Sequence, residues 1–462
     1  MKILQKKFYI DDVSPLLILA IPLIFSGVVE SSIGFFSTIF LARLGHEALA
    51  AGGLVNWLFA TLLVILWGTL TAVSVMVAQK HGAKDEKGVA YVLRDGIVLA
   101  LLLLVPAFLL LWNISPVLLL AGQSPEIVIL ARSYLHGLAW GLLPDFIMLV
   151  LLQFVIGLGH ARTSMTFILF KVPVAIFCIY CLIFGKFGLP RLDIAGIGWG
   201  LTVSYWITTI WLAVYLLLNN TYKQYLKNAF TWGRLIYLKD LLQTGVPMGA
   251  MYCIEIGFFL ALTLVMGVIN SASLAANQIA MQYLGQLIAV VFSIAQAVTV
   301  RMGHKLGAND LQSAQRTNDA GIFLAFSFMF IVALCFWMLP EKLISIDLNV
   351  SDASNTQVVL YAKQFLAVSA LFQLFEAVRI TLFGSLRALK DTHFTLFSSI
   401  ISFWCIALPL GYLLAIPLKW GGTGLWWGMV VGVICSVVML SMRFKLKMRR
   451  CFLFYNSKQM SS

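Results

Sequence analysis

Four acidic residues stand inside apolar stretches long enough to cross a bilayer: Glu30, Asp145, Glu255 and Glu376. A charge at the bilayer centre costs about 2.5–3.5 kcal/mol even on the lenient insertion scale. Such side chains must face a protein interior or a water-filled cavity, and each is a functional candidate by default. A carboxylate held there has two uses. It exchanges a proton under a physiological gradient, or, when ionised, it attracts Na⁺ or an organic cation.

Glu255 follows Pro247 by eight residues and Glu30 follows Pro22 by the same step. Proline frees a carbonyl and lets a helix bend, so carboxylate and hinge read as one device. Glu376 has Gln373 on one side and Arg379 on the other. Residues three apart are helix neighbours, which gives two readings. Either Glu376 titrates, or Arg379 pairs with it and leaves Glu255 as the sole proton carrier of the second half. Asp145 follows Pro144, and Lys171 lies in the next apolar stretch. A buried Asp145–Lys171 pair cementing the first half is the expectation there. Whether Glu30 reaches the cavity is open.

Among softer signals, the 33 Phe, 14 Tyr and 13 Trp suit lipid-facing and interfacial positions. A few beside a carboxylate would favour flat cations. Met248, Met251 and Met281 could add an adaptable wall, with core packing the plainer role. No phosphate-binding loop, zinc-spaced His/Cys cluster or nucleophile–base pattern is present. Transport by such a chain is gradient-driven or passive.

The elements that must position these groups are long and repeated. Shifting the numbering by 225 lays the run at 296–310 over 71–85, with seven of fifteen positions identical and no gap. Pro22 then falls on Pro247 and Glu30 on Glu255. Doubled hydrophobic units commonly frame a path that opens alternately to each side. The chain is 61% hydrophobic and 11% charged. Twelve apolar segments recur, near 14–42, 52–79, 92–114, 133–158, 163–185, 195–218, 240–268, 275–303, 317–340, 357–386, 393–417 and 421–442. They must be helices, because hydrocarbon cannot satisfy open backbone. The first reads as a span rather than a cleaved signal, since its counterpart at 240–268 is structural.

Charge placement orients them. Of 32 Lys and Arg, 23 fall in segments that are cytosolic if both termini are inside, against six in the opposite loops. That bias sets an even number of spans with both termini in the cytosol, and it argues against nucleic acid as the partner of the +13 net charge. The polar stretch 219–239 divides two sets of six spans sharing one orientation, and its interleaved aromatics and lysines suggest a short amphipathic helix on the inner membrane surface. KHGAKD and KLGAND read as glycine C-caps followed by tight turns. Cys178 and Cys181 have redox spacing but lie within a span, so packing and no disulfide are expected.

Several runs resemble the multidrug and toxic compound extrusion (MATE) transporters: VPMGAMYCIE at 246–255, SLAANQIA at 273–280, VTVRMGHKLGAND at 298–310 and QLFEAVRITLFGSLRALKDT at 373–392. The resemblance covers nearly the whole chain. It implies an all-α integral membrane fold of twelve helices, in two six-helix lobes related by a pseudo-two-fold along the membrane normal and forming a V around a central cavity. It implies antiport, with H⁺ or Na⁺ entering as cationic amphipathic compounds leave. The family's coupling acids map onto Glu255 and Glu376, which would also hold any Na⁺. Its polar positions map onto Asn277 and Gln278; with Glu255, Gln373 and Tyr283 they form the expected substrate-binding set. One departure stands out. Where many prokaryotic members carry an acid, this chain has Ser37, followed by Thr38 and Gly45. Glu30 lies seven residues earlier, about 10 Å along a helix, too far to substitute simply.

The resulting expectation is a cytoplasmic-membrane antiporter, monomeric, needing no cofactor beyond its coupling ion. It has an N-lobe (1–218), a cytoplasmic linker (219–239), a C-lobe (240–446) and a cytoplasmic tail (447–462). Coupling is expected mainly in the C-lobe, with Glu30, Ser37 and Asp145 the N-lobe candidates. The alternative is a flippase for lipids or lipid-linked oligosaccharides, which calls for a cavity rich in Arg and Lys. Four intramembrane acids against Lys171, Arg379 and Lys363 weigh against it. No catalytic constellation supports an enzyme.

Overall fold

In the computed structural model, residues 2–229, 233–350 and 352–461 are described, with side chains from 13 to 453 within those ranges. The side chains of Lys2, Lys6 and Lys7, of residues 454–462, and Phe230 and Trp232 of the linker lie outside the described residues.

The described chain is helical throughout. In order come α1 (Lys2–Leu44), α2 (His46–Leu70), α3 (Ala72–Gly82), α4 (Glu86–Trp112), α5 (Ser115–Leu120), α6 (Pro125–Ala139), α7 (Leu142–Gly157), α8 (Ala161–Phe184), α9 (Ala195–Leu218) and α10 (Asn220–Ala229). The second half holds α11 (Leu238–Ile269), α12 (Ser271–Gly307), α13 (Leu311–Met338), α14 (Pro340–Asp347), α15 (Thr356–Ala388), α16 (Thr392–Ser399), a π-helical segment (Ile400–Ala407), α17 (Leu408–Ala415) and α18 (Gly422–Ser461). Eleven helices among the described residues are long and apolar enough to span a bilayer, and α6 with α7 form a pair bent by 50°. Counting that pair as one span gives twelve. The break has a local cause. Pro144 has no N–H to return to Trp140, and its ring crowds that carbonyl; α6 stops just before Trp140.

Two compact units form, Ile21–Gly249 and Met1–Ala20 with Ala250–Ser462. The division falls within α1 and α11, at positions adjoining Pro22 and Pro247. In the Ile21–Gly249 unit, the core is built from α2 to α9, with Leu63, Leu70, Phe146, Phe154 and Leu212 fully or almost fully buried. In the other, α12 packs along α15, which also meets α13 and α18. Gly384 makes that approach close: a Cβ there would lie 2.5 Å from the Ala295 carbonyl oxygen. Thr299 Oγ1 bridges the two helices, 2.8 Å from the Gly384 carbonyl.

The expected amphipathic helix is α10. It buries Tyr222, Tyr225, Leu226 and Ala229, and it packs against α4 and α9 of its own unit. The chain that follows is clipped to the same unit. Arg94 Nη2 donates to the Arg234 carbonyl at 2.8 Å, and Asp95 Oδ2 accepts the Tyr237 N–H at 2.6 Å.

The repeat extends to individual contacts. Lys84 and Asn309 adopt left-handed φ of 56° and 59°. Asp85 then caps α4 by accepting from Gly88 N, and Asp310 caps α13 by accepting from Ser313 N. Lys80 pairs with Asp85 and Lys305 with Asp310. Each residue of the first set stands 225 positions before its counterpart in the second. The glycine C-cap reading is corrected here. Gly82 and Gly307 end their helices in ordinary conformation, and the left-handed residue comes two positions later.

Candidate functional site

In the unit containing Ala250–Ser462, α11 carries Glu255 and α15 carries Gln373, Glu376 and Arg379. Spacing puts Gln373, Glu376 and Arg379 one turn apart along α15. Arg379 reaches both acids. Its Nη1 lies 2.7 Å from Glu255 Oε1, its Nε lies 2.6 Å from Glu376 Oε2, and its Nη2 also donates to Glu376 Oε1. Relative exposure is 7% for Glu255, 2% for Glu376 and 1% for Arg379. Planar guanidinium suits this double role, since its fork offers five donors.

Neither sequence alternative for Glu376 and Arg379 is complete, because Arg379 pairs with both carboxylates and leaves neither as a sole acid. With all three groups ionised, the cluster carries one net negative charge. Proton or cation uptake would bring it to neutrality.

Three neighbours were not foreseen. Ser399 Oγ donates to Glu255 Oε1 at 3.0 Å, and the Arg379 guanidinium carbon sits 4.5 Å and 4.7 Å from the Phe383 and Phe403 ring centres. Ser399 ends α16 where the π-helical segment begins. Such segments insert an extra residue in a turn and commonly mark functional positions. The available signal was Pro409 just downstream, which withdraws a donor from the helical ladder.

Of the expected substrate-binding residues, Gln373 and Asn277 are fully buried, and neither amide has a hydrogen-bond partner among the described residues. Their polar groups are therefore available. Gln278, the next residue on α12, is exposed. Tyr283 is committed elsewhere, its OH donating to the Leu343 carbonyl at 2.9 Å.

The Ile21–Gly249 unit holds the other candidates. Lys171 Nζ lies 2.5 Å from Glu30 Oε1, so the lysine's contact partner is Glu30 and not Asp145. Asp145 Oδ2 instead accepts from Trp67 Nε1 at 3.0 Å. The expected Asp145–Lys171 pair is corrected: the bend before Pro144 turns Asp145 toward α2, and Lys171 acts on it from a longer range. Ser37 is buried, at 3% exposure.

The MatE family profile matches residues 22–181 and 247–413. A probable multidrug resistance protein NorM of Pseudomonas aeruginosa is 33% identical over 440 residues, covering 95% of this chain and 90% of its own. Among solved structures, an outward-facing multidrug resistance MATE family transporter of the MOP superfamily superposes with a TM-score of 0.85 at 19% identity, covering 95% of this chain and 96% of that one. The eukaryotic MATE transporter AtDTX14 gives 0.81 at 20%, covering 96% and 99%.

Proposed function

We propose a coupling mechanism on one premise: the chain belongs to the MatE family of membrane transporters. It is a multi-pass membrane protein and a multidrug efflux transporter, not an enzyme. The finer reading is ours. The protein exports cationic amphipathic compounds in exchange for H⁺ or Na⁺, and Glu255 and Glu376 exchange the two. It acts as a monomer in the cytoplasmic membrane with both termini in the cytosol, as the placement of basic residues supports.

The observation carrying this reading is the bridge of Arg379 between Glu255 and Glu376. The guanidinium fills the space between the carboxylates, so a bound ion must compete with it. A proton does so at little steric cost, by neutralising one carboxylate and releasing that arm of the fork. A cationic substrate does so by offering its own charge to Glu255, with Phe383 and Phe403 lining the same cluster. The unpartnered amides of Gln373 and Asn277 supply hydrogen bonds to polar substrate atoms. Ion and substrate then exclude one another. The cycle runs in one direction if the ion binds the inward- and outward-facing states unequally.

The test is Glu255→Gln in proteoliposomes under imposed pH or Na⁺ gradients. Gradient-driven ethidium transport should fall at least about tenfold, the change expected when an interaction worth roughly 1.4 kcal/mol is lost. Unchanged transport would remove Glu255 from the coupling role.

A further inference from the structure

We propose that the unit containing Ala250–Ser462 holds a phosphate-binding site where α12 and α15 end, anchored by Arg387, which takes the headgroup phosphate of an anionic lipid or a soluble phosphate of the same chemistry. This goes beyond the exchange at Glu255 and Glu376 and uses none of its residues.

The first support is the free edge of a buried guanidinium. Nε–H and one Nη–H of arginine point the same way, and that edge matches two oxygens of one anion. Two arginines of this unit use it so. Arg379 directs Nε and Nη2 at the two oxygens of Glu376, and Arg443 directs the same atoms at those of Asp391, at 2.7 Å and 3.3 Å. Arg387 is 3% exposed, and its Nε and Nη2 are buried with no hydrogen-bond partner among the described residues. The Tyr252 ring centre of α11 lies 5.2 Å from its guanidinium carbon. A ring attracts the charge but supplies no counter-ion.

The second support is charge. Arg387 lies eight residues beyond Arg379 on α15, about 12 Å along the helix. The acids of the neighbouring elements are engaged elsewhere: Glu255 and Glu376 with Arg379, Asp310 with Lys305, and Asp391 with Arg443 and Lys447. Asp319 accepts from the Asn318 amide. A buried cation without a partner is costly, so this position calls for an anion from outside the chain. Its surroundings draw one in. Leu386 and Ala388 share a core cluster with Leu440, Phe444 and Met448 of α18. That helix also carries exposed Lys445, Arg449 and Arg450, with no acid between Arg443 and Leu453. Charge of one sign gathered at one end raises the local concentration of anions.

The third support is depth. Arg387 directly follows the apolar segment 357–386, at the level where hydrocarbon gives way to headgroups. In the orientation proposed above this is the cytosolic leaflet, whose anionic lipids attract basic segments. That level favours the headgroup as the source of the phosphate.

The experiment titrates the unfolding temperature of the full chain, by scanning fluorimetry in an uncharged, phosphate-free detergent. Dioctanoyl phosphatidylglycerol should raise it saturably, and dioctanoylglycerol, which has the same chains and no phosphate, should not. Arg387→Lys keeps the charge without the paired donors. It should weaken the apparent affinity at least about tenfold, the fold-change of one lost charged hydrogen bond. Arg387→Met removes the buried charge, so without lipid it should unfold no lower than the wild type, and with lipid it should show no rise. A clearly lower value without lipid means that the chain already compensates the charge, and overturns the site. Inorganic phosphate separates the sources. A saturable, Arg387-dependent rise equal to that with phosphatidylglycerol assigns the site to soluble phosphates, and its absence assigns the site to lipid. No rise in the wild type with either probe, or a rise that both variants keep undiminished, overturns the proposal. So does a rise lost in Arg449→Gln with Arg450→Gln but kept in Arg387→Lys, which belongs to the surface charge of α18.

Discussion

Arg379 holds two acids from different helices at once, with Nη1 2.7 Å from Glu255 Oε1 and Nε 2.6 Å from Glu376 Oε2. Removing it leaves two carboxylates of like charge facing each other in a buried site. Breaking a buried pair by deleting one partner costs about 3–5 kcal/mol, whereas replacing the whole set with apolar or neutral groups is often tolerated. Arg379→Met should therefore lower the unfolding temperature of the detergent-solubilised protein clearly at neutral pH. Adding Glu376→Gln should restore much of it. Scanning fluorimetry on both variants checks this, and a double variant no better than the single one would count against the charge argument.

The linker clip offers a second prediction. Asp95 is fully buried and accepts both the Arg94 Nε–H, at 2.9 Å, and the Tyr237 N–H. Leaving buried donors without an acceptor costs about 1–3 kcal/mol. In Asp95→Ala the stretch of chain at 233–237 loses one of its two hydrogen bonds to α4, and Arg94, which keeps the other to the Arg234 carbonyl, loses the carboxylate that holds its Nε. Limited trypsin digestion should then cut after Arg234 several-fold faster than in the wild type, with no comparable change after other arginines.

Much of this was legible because hydrophobic length and charge placement act along the sequence. The spans, the repeat, α10 and the four acids follow from those terms alone. Pairing was harder to read. Arg379 was visible as a helix neighbour of Glu376, but its reach to Glu255 depends on how α11 and α15 pack. Lys171 was assigned to Asp145 by type and approximate depth, yet the bend at Pro144 redirects Asp145 to Trp67 and gives Lys171 to Glu30.

His160 makes a pH prediction. Its Nδ1 lies 2.9 Å from the Tyr222 hydroxyl, and burial holds its pKa below the usual histidine value. The folded state therefore prefers the neutral ring. Its contribution to stability is complete above about pH 6.5 and is lost as pH falls below that value, because the unfolded chain then takes up the proton first. The capping acids behave differently. Burial works to raise Asp85 and Asp310, but the Gly88 N–H and Lys80 outweigh it at Asp85, and Ser313 and Lys305 do so at Asp310; both stay below the usual range. Their contribution persists until the pH drops through the carboxylate range. Unfolding temperatures measured from neutral to mildly acidic pH should fall less steeply in His160→Gln than in the wild type. Parallel slopes would show that His160 does not set the response.

Close packing at the start of α11 gives the last prediction. An added Cβ at Gly249 would lie 2.0 Å from the Ile65 carbonyl oxygen, and one at Gly245 would lie 2.3 Å from that of Thr69. These two glycines sit one turn apart and flank Pro247, so the same face of α11 lies directly on the backbone of α2. Backbone oxygens cannot rotate away as a side chain can, and in membranes small residues are what allow such approach. Gly249→Ala must push the helices apart, at a cost typical of overpacking, about 1–3 kcal/mol. Gly27→Ala is the control, since a Cβ there meets nothing within 4 Å and a helical alanine is intrinsically favoured. Fluorescence-detected size exclusion should show a reduced monodisperse fraction for Gly249→Ala and an unchanged or larger one for Gly27→Ala. Equal yields would mean that α2 and α11 separate at little cost.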